Sequence, residues 1–287
     1  MTELEKWEWL GHWKLHRLIR VEGVIEAVEP LHIGVGRAPS PGSPSDNPIV
    51  RIRIGPHEIP YIPGSSLKGV FRSTTESLLR SLGLKSCSPF LGLCIGPIRD
   101  RVCQLSRDGQ IEEAQKLLDD NLCIACKIFG SASYRSLVVM GDAFAIEGTY
   151  AVGMRTCVAI DRRRGAAARG RLFNIEYVQP GSLFSFSLCG KNLPNYAIGL
   201  LAVIIDYINQ GWVKIGGCTS RGFGRVRIRG KEGDYPSFSI IERPFTSEEK
   251  KLPEADKSVN KLTKDDVPIE DLTDFEKIKR AWWEWVR

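Results

Sequence analysis

The run Ile59-Pro60-Tyr61-Ile62-Pro63-Gly64-Ser65-Ser66-Leu67-Lys68-Gly69-Val70-Phe71-Arg72 leaves the backbone little choice. Pro63 disfavours the α region for Ile62, so an extended segment must end there and a helix can start no earlier than Gly64. Ser65 or Ser66 can cap the first free N–H groups. Leu67, Val70, Phe71, Leu78 and Leu79 then recur on one face, and Gly83 can stop the chain in the left-handed conformation, which predicts a helix over 65–82. Lys68 and Arg72 fall four residues apart on that helix. A helix start with free amides, small side chains and two cations on one face is an anion site, and phosphate is the expected anion.

Strand and helix signals surround this segment. Residues 19–34 read as a strand, followed by a Pro/Ser/Gly loop over 37–48 and a hairpin in which Val50, Ile52 and Ile54 alternate with Arg51 and Arg53. Leu137 to Ile146 and Ser182 to Leu188 read as strands, Pro194 to Gln210 as a strongly apolar helix stopped by Gly211, and Arg225 to Arg229 as a strand. With insertions set aside the order is strand, helix, strand, strand, helix, strand. That is the ferredoxin-like (RRM-like) βαββαβ pattern of the α+β class. A Trp-rich arm occupies 1–18, a palm 19–244, a polar linker 245–271, and a final helix 272–287. Thr273 and Glu276 have capping-box spacing before that helix. Its Trp282 and Trp285 should pack on the palm, against Trp7 to Trp13 of the arm.

The net charge of +6 is unevenly spread: the tail from Ser247 is rich in Glu and Asp, so the body carries the whole positive excess. Arginines cluster at Arg162, Arg163 and Arg164, with Arg155, Arg169 and Arg171 nearby, in a Gly/Ala/Arg-rich excursion over 150–178. This suits a polyanion partner or a solvated basic face. No apolar run approaches the roughly 18 residues a membrane span needs, and the first residues do not resemble a signal peptide; a soluble cytoplasmic protein is expected.

Five of the eight cysteines crowd into Cys87 to Cys126, which points to metal rather than to a disulfide framework. Cys123-x-x-Cys126 has zinc-knuckle spacing, and Cys94 and Cys103 can complete a tetrahedral set, with Cys87 as the alternative ligand. Such a zinc would staple an irregular insertion over 84–130. Buried free thiols or a disulfide remain open. The loop Gly216-Gly217-Cys218-Thr219-Ser220-Arg221-Gly222-Phe223-Gly224 can present amides as a second anion cradle; it lacks the Gly-Lys-Ser/Thr ending of a P-loop.

Four motifs in this order, Leu31-His32-Ile33-Gly34, Ile62 to Gly69, Cys123-x-x-Cys126-x-x-Phe129-Gly130 and Gly216 to Gly224, resemble the RAMP superfamily of CRISPR systems. The repeating backbone subunits of type III (Csm/Cmr-type) interference complexes are the most similar. The resemblance covers roughly 19–230. It implies a palm that polymerises along a guide RNA, a thumb hairpin at 150–178 that reaches the next copy and interrupts the guide–target duplex, and other effector subunits as partners. It also implies that Asp46, the acidic residue of the first loop, cuts target RNA. Asp46 would hold a divalent cation such as Mg2+ or help to deprotonate the 2′-hydroxyl. Read alone, Asp46-Asn47-Pro48 is an Asx turn. The RNA-contacting set is then His32, Ser65, Ser66, Lys68, Arg72, Arg155, Arg162, Arg163, Arg164, Gly216, Gly217, Ser220 and Arg221. Two alternatives stand beside the cleaving subunit: a non-catalytic RNA-binding scaffold, and a stand-alone guide-processing ribonuclease. The last usually needs a His-centred site, and two of the four histidines, His12 and His16, lie in the arm.

Overall fold

A computed structural model of the chain describes residues 3–36, 45–88, 92–242 and 258–287. Strand β1 (Arg17–Ala27) buries Ile19, Val21, Ile25 and Ala27 on one face and exposes Arg20 and Glu22 on the other. A hairpin of β2 (Arg51–Ile54) and β3 (His57–Ile62) leads into helix α1 (Gly64–Ser81). The insertion after α1 holds three short helices, α2 (Arg99–Arg107), α3 (Ile111–Asn121) and α4 (Ile124–Phe129). Strands β4 (Val138–Met140) and β5 (Ala143–Phe144) follow, then the long pair β6 (Val152–Asp161) and β7 (Ala166–Val178), then β8 (Leu183–Lys191). Helix α5 (Asn195–Asn209), β9 (Val226–Arg229), β10 (Ser237–Glu242) and α6 (Phe275–Val286) complete the chain.

The main sheet is antiparallel throughout. β1 lies at its centre, β8 and then β4 on one side, and β10 and β9 share the other edge, β10 along residues 17–22 and β9 along 24–27. The inner face carries Phe184, Phe186, Leu188, Ile228 and Ile240 into the core shared with α1 and α5. α5 is buried on nearly every side because α6 covers the face the sheet does not. The chain is thus an α+β protein. No described helix is long and apolar enough to cross a membrane.

Several local expectations need correction. The strand expected over 137–146 is broken into β4 and β5, because Asp142 turns aside and its Oδ1 accepts the Gly64 N–H at 2.7 Å. That carboxylate, not Ser65 or Ser66, caps α1, while the Pro63 carbonyl accepts from Ser66 and Leu67 at 2.9 and 3.2 Å. Three of the first four amides of α1 are therefore engaged, and the helix start is not an open amide cluster. Gly64 is required for packing: a Cβ there would lie 2.3 Å from the Met140 carbonyl oxygen. At α6 the cap is Asp274, which accepts from Glu276 and Lys277, and the Thr273 hydroxyl goes to Asp271 instead.

The arm and the described half of the linker are parts of the body. Val259, Leu262 and Ile269 are buried, and Val259 and Ile269 pair with each other. Leu4 donates to the Leu262 carbonyl and accepts from Lys264. Fully buried Trp9 meets Tyr196 edge-on, and Tyr196 stacks on Trp285 at 4.3 Å, so tryptophans of arm and tail share one ring of α5. Asp266 binds them together: its carboxylate accepts from Asn195 and Tyr196 at the start of α5 and from Leu262, at 2.9 to 3.1 Å. Beside it fully buried Arg17 donates to Leu193, Asn195 and Asn260. Burial pushes the Asp266 carboxyl above its usual range, while the Asn195 and Leu262 amides and the Arg17 charge pull it down. Asp266→Ala leaves three buried amides and a buried guanidinium short of their partner. It is expected to lower unfolding stability by about 3–5 kcal/mol. Urea denaturation measures this; a loss below about 0.5 kcal/mol would mean the tail is not part of the folding unit.

Candidate nucleic-acid interface

The first loop, the base of the β6–β7 hairpin and the glycine loop converge. Beyond β1 the chain pairs with the hairpin base, Leu31 and Val178 exchanging backbone hydrogen bonds at 2.9 and 2.8 Å. The loop returns beside β7: Asn47 donates to the Asn174 carbonyl and accepts from Glu176. The exposed Asp46 side chain faces the same strand, and its Oδ2 accepts the Asn174 N–H at 2.7 Å. Glu176 anchors this corner from beneath, taking the Ile49 amide at 3.0 Å and a bidentate hydrogen bond from Arg51. The Arg51 guanidinium is thereby held inside the protein rather than offered to a ligand.

His32 is buried at the floor of the cleft between these elements. Its Nδ1 lies 2.7 Å from the Glu176 carbonyl oxygen. A carbonyl only accepts, so Nδ1 is the donor of this hydrogen bond. His32, Gly34, Asp46, Asn47, Pro48 and Gly217 line a cleft of about 460 Å3.

The glycines of the 216–224 loop are required by this floor. Gly216 has φ +90°, and a Cβ on it would lie 2.4 Å from the His32 carbonyl oxygen. Gly217 donates to that same oxygen at 2.8 Å, and Gly224 donates to Pro30 at 2.9 Å. The expected amide cradle is corrected accordingly: these two amides hold the loop on the first strand's end. What the loop presents outward is the exposed turn with Ser220 and Arg221. Its Phe223 is buried edge-on to Tyr177 of β7, and the exposed Arg155 guanidinium of β6 lies over the Phe223 ring at 4.5 Å. This aromatic–cation stack joins hairpin and loop.

Farther out, β6 and β7 form a two-stranded ribbon of their own. Met154, Val158, Ile160 and Leu172 are exposed along it, an apolar stripe with no cover among the described residues. Arg162, Arg163 and Arg164 are exposed in the turn between the strands, where Asp161 accepts the Arg163 amide at 2.9 Å.

On α1, Ser65 is exposed and Ser66 and Lys68 are half-buried. Arg72 turns away from solvent. It donates to Glu76 at 2.8 Å and to the Gly130 carbonyl at 2.8 Å, and its Nη2 lies 3.5 Å from the Cys126 sulfur. Arg72 is thus tied to Glu76, Gly130 and Cys126, whereas Lys68 has no such partner among the described residues. α1 and the glycine-loop approach are neighbours: Ser73, Thr74 and Ser77 share a groove with Tyr207 and Val213.

The thiols that come together are Cys87, Cys94, Cys123 and Cys126, all four sulfurs within 4.8 Å of one another. Cys103 is exposed on α2 and lies outside the set, so Cys87 takes the place expected for it. The α2 turn carries Cys103 outward, whereas Cys87 follows α1 directly into the core. Four sulfurs around a zinc at about 2.3 Å sit about 3.8 Å apart by tetrahedral geometry. Four of the six pairs here measure 3.3, 3.5, 3.7 and 3.9 Å. The donor set fits zinc. Arg72 places a positive charge beside Cys126, which offsets the negative charge of four thiolates.

The family model of the RAMP superfamily matches residues 24–227. The chain belongs to this superfamily. The RAMP match runs from β1 into β9, so it includes the cleft, the ribbon, the cysteine insertion and the glycine loop, and stops short of β10 and the tail. Among curated RAMP relatives, the chain is 25% identical to "CRISPR system Cms endoribonuclease Csm3" of Methanocaldococcus jannaschii over 73% of this chain and 77% of that protein. It is also 25% identical to the protein of the same description from Methanothermobacter thermautotrophicus, over 75% of this chain and 82% of that one.

Proposed function

We propose that this RAMP protein is the guide-RNA-binding backbone subunit of a type III CRISPR effector complex, and that Asp46 cuts the target RNA held against it. The observation that carries the reading is the meeting of Asp46, His32 and Gly217 at one cleft at the foot of the ribbon, with Arg155 stacked over Phe223 of the same glycine loop. The naming of both relatives as Csm3 endoribonucleases supports the reaction class. The strand order β9-β1-β8-β4, with α1 and α5 against one face, supports a ferredoxin-like palm; the ribbon serves as its thumb. The partners are then guide and target RNA, further copies of this chain meeting the exposed apolar stripe of the ribbon, and other effector subunits.

Among the described residues that line the cleft, Asp46 is the one carboxylate. Asp46 is fixed through Oδ2, and its Oδ1 has no hydrogen bond among the described residues. Oδ1 takes the proton of a target 2′-hydroxyl; that oxygen attacks the adjacent phosphorus in line, and the P–O5′ bond breaks. The products are a 2′,3′-cyclic phosphate and a 5′-hydroxyl, whose proton comes from water. Arg155 and Arg221 supply positive charge beside the phosphate. Zinc in the cysteine set supplies rigidity only, because four thiolates leave no open position. The scaffold reading, with Asp46 idle, draws on one observation: its hydrogen bond to Asn174 is itself a structural role.

Native purification tests the reading. The tagged chain should emerge from its host in a multi-copy assembly carrying short repeat-derived RNAs; a lone chain free of RNA would end it. With the purified chain, Arg155→Gln should flatten the slope of log affinity against log salt for single-stranded RNA by about 0.7, the value of one phosphate contact. An unchanged slope would remove Arg155 from the interface.

A further inference from the structure

A groove of about 680 Å3 lies between the β9–β10 turn and the start of α6. It falls outside residues 24–227, the part of the chain that the superfamily model matches. Its floor is apolar: Phe238, Leu272, Phe275 and Ile278 are buried beneath it. Tyr235 forms the wall. Its ring stacks on Phe275 at 4.0 Å and 12°, and 39% of the residue stays exposed. The stack fixes an aromatic surface at the edge of the groove. Every charged residue that lines the groove is acidic: Asp234, Asp274 and Glu276. The nearest cation, Lys279, is shared between Glu276 and Asp206, at 2.7 and 2.8 Å. Asp234 is exposed and has no ion pair among the described residues. On a chain of net charge +6 this is an island of negative charge. A helix start would favour an anion, but Asp274 already takes the Glu276 and Lys277 amides of α6. The groove therefore repels RNA and suits a cation carried beside an apolar side chain.

We propose that this groove docks an arginine-bearing segment of a different protein subunit of the assembly. The guanidinium lies over Tyr235 between the carboxylates of Asp234 and Glu276, and a neighbouring apolar side chain covers the floor. The inference rests on the RNA-binding reading above. A protein that neutralises phosphates of the same RNA strand presents clustered Arg and Lys, and an acidic groove is complementary to such a surface. This chain has one such cluster itself, Arg162, Arg163 and Arg164 in the ribbon turn. In the reading above those arginines contact RNA, which leaves the groove to another subunit.

The test uses assemblies purified from the host on the tagged full chain and weighed by native mass spectrometry. Asp234→Arg changes an exposed, unpaired residue, so the melting temperature of the chain should not move. The variant assembly should keep its guide RNA and its copies of this chain per RNA. It should lose one other subunit by about tenfold or more, because like charges now meet at the contact. With p-benzoylphenylalanine in place of Tyr235, light should join the chain to an arginine-bearing peptide of that same subunit. An RNA-bearing assembly of unchanged composition would overturn the inference and leave the RNA reading standing. Links to the ribbon of another copy, with no other subunit lost, would overturn it in favour of a second copy as occupant. A wild-type assembly free of RNA would end the RNA reading, and the inference would fall with it.

Discussion

Asp46→Ala in the assembled complex should slow target cutting by about 10^2 to 10^4-fold, the range of a lost general base, while guide and target affinity stay within about threefold of wild type. The geometry makes a sharper pair of variants possible. The Asp46 Oδ2 holds the Asn174 amide at 2.7 Å, so alanine removes both a base and a tether between loop and ribbon. Asp46→Asn restores an oxygen to the tether but not a base at neutral pH. If the carboxylate takes the proton, Asn cuts as slowly as Ala. If Asp46 only holds the loop, Asn cuts close to wild type, and the chemistry must be assigned elsewhere. Undiminished cutting by both variants would leave an RNA-binding scaffold.

Loss of the cysteine set should have the largest structural effect. Structural zinc in small sites contributes on the order of 10–16 kcal/mol of apparent binding energy near neutral pH, far more than the insertion's three helices of 9, 11 and 6 residues can supply from their own contacts. Cys123→Ser should reduce zinc from about one ion per chain to none. Backbone amides of 94–130 should then exchange with solvent faster, while β1 and β8 keep their protection. Because Arg72 bonds both Gly130 and Cys126, the change should also reach α1 and weaken RNA binding at Lys68. Cys103→Ser is the control, expected to leave zinc content unchanged. Equal zinc loss from both variants would contradict the ligand set.

Much of the scaffold was legible because local rules set it. Pro63 and Gly83 delimit α1 to within a residue, and Gly211 at φ +82° ends α5. The motif residues around the cleft were legible by resemblance rather than by pattern. What could not be read was set by contacts distant in sequence. Arg72 and Lys68 are equivalent on a helical wheel, and only the return of Gly130 beneath α1 ties up one and not the other. Gly216 and Gly217 look like a phosphate cradle until the His32 carbonyl claims the second amide. The 258–271 segment is polar enough to pass for a linker; its three buried apolar residues are spaced too irregularly to show a period, and they pack through Asp266 and Arg17. The short Ser/Phe alternation of β10 does not stand out beside the arginine strand. Cys87 outranks Cys103 for the same reason: spacing allowed both, and helix direction chose.

The most direct measurement is photo-crosslinking of single-stranded RNA to the full chain, with crosslinked peptides mapped by mass spectrometry. Crosslinks concentrated in peptides covering 28–50, 64–72, 150–178 and 212–225 are the expected result, since Asp46 and Gly217 line one cleft and Arg155 stacks beside it over Tyr177 and Phe223. Crosslinks confined to the open face of the main sheet, around Arg20, Ser187 and Ser239, would contradict it and place the RNA on the opposite side of the molecule.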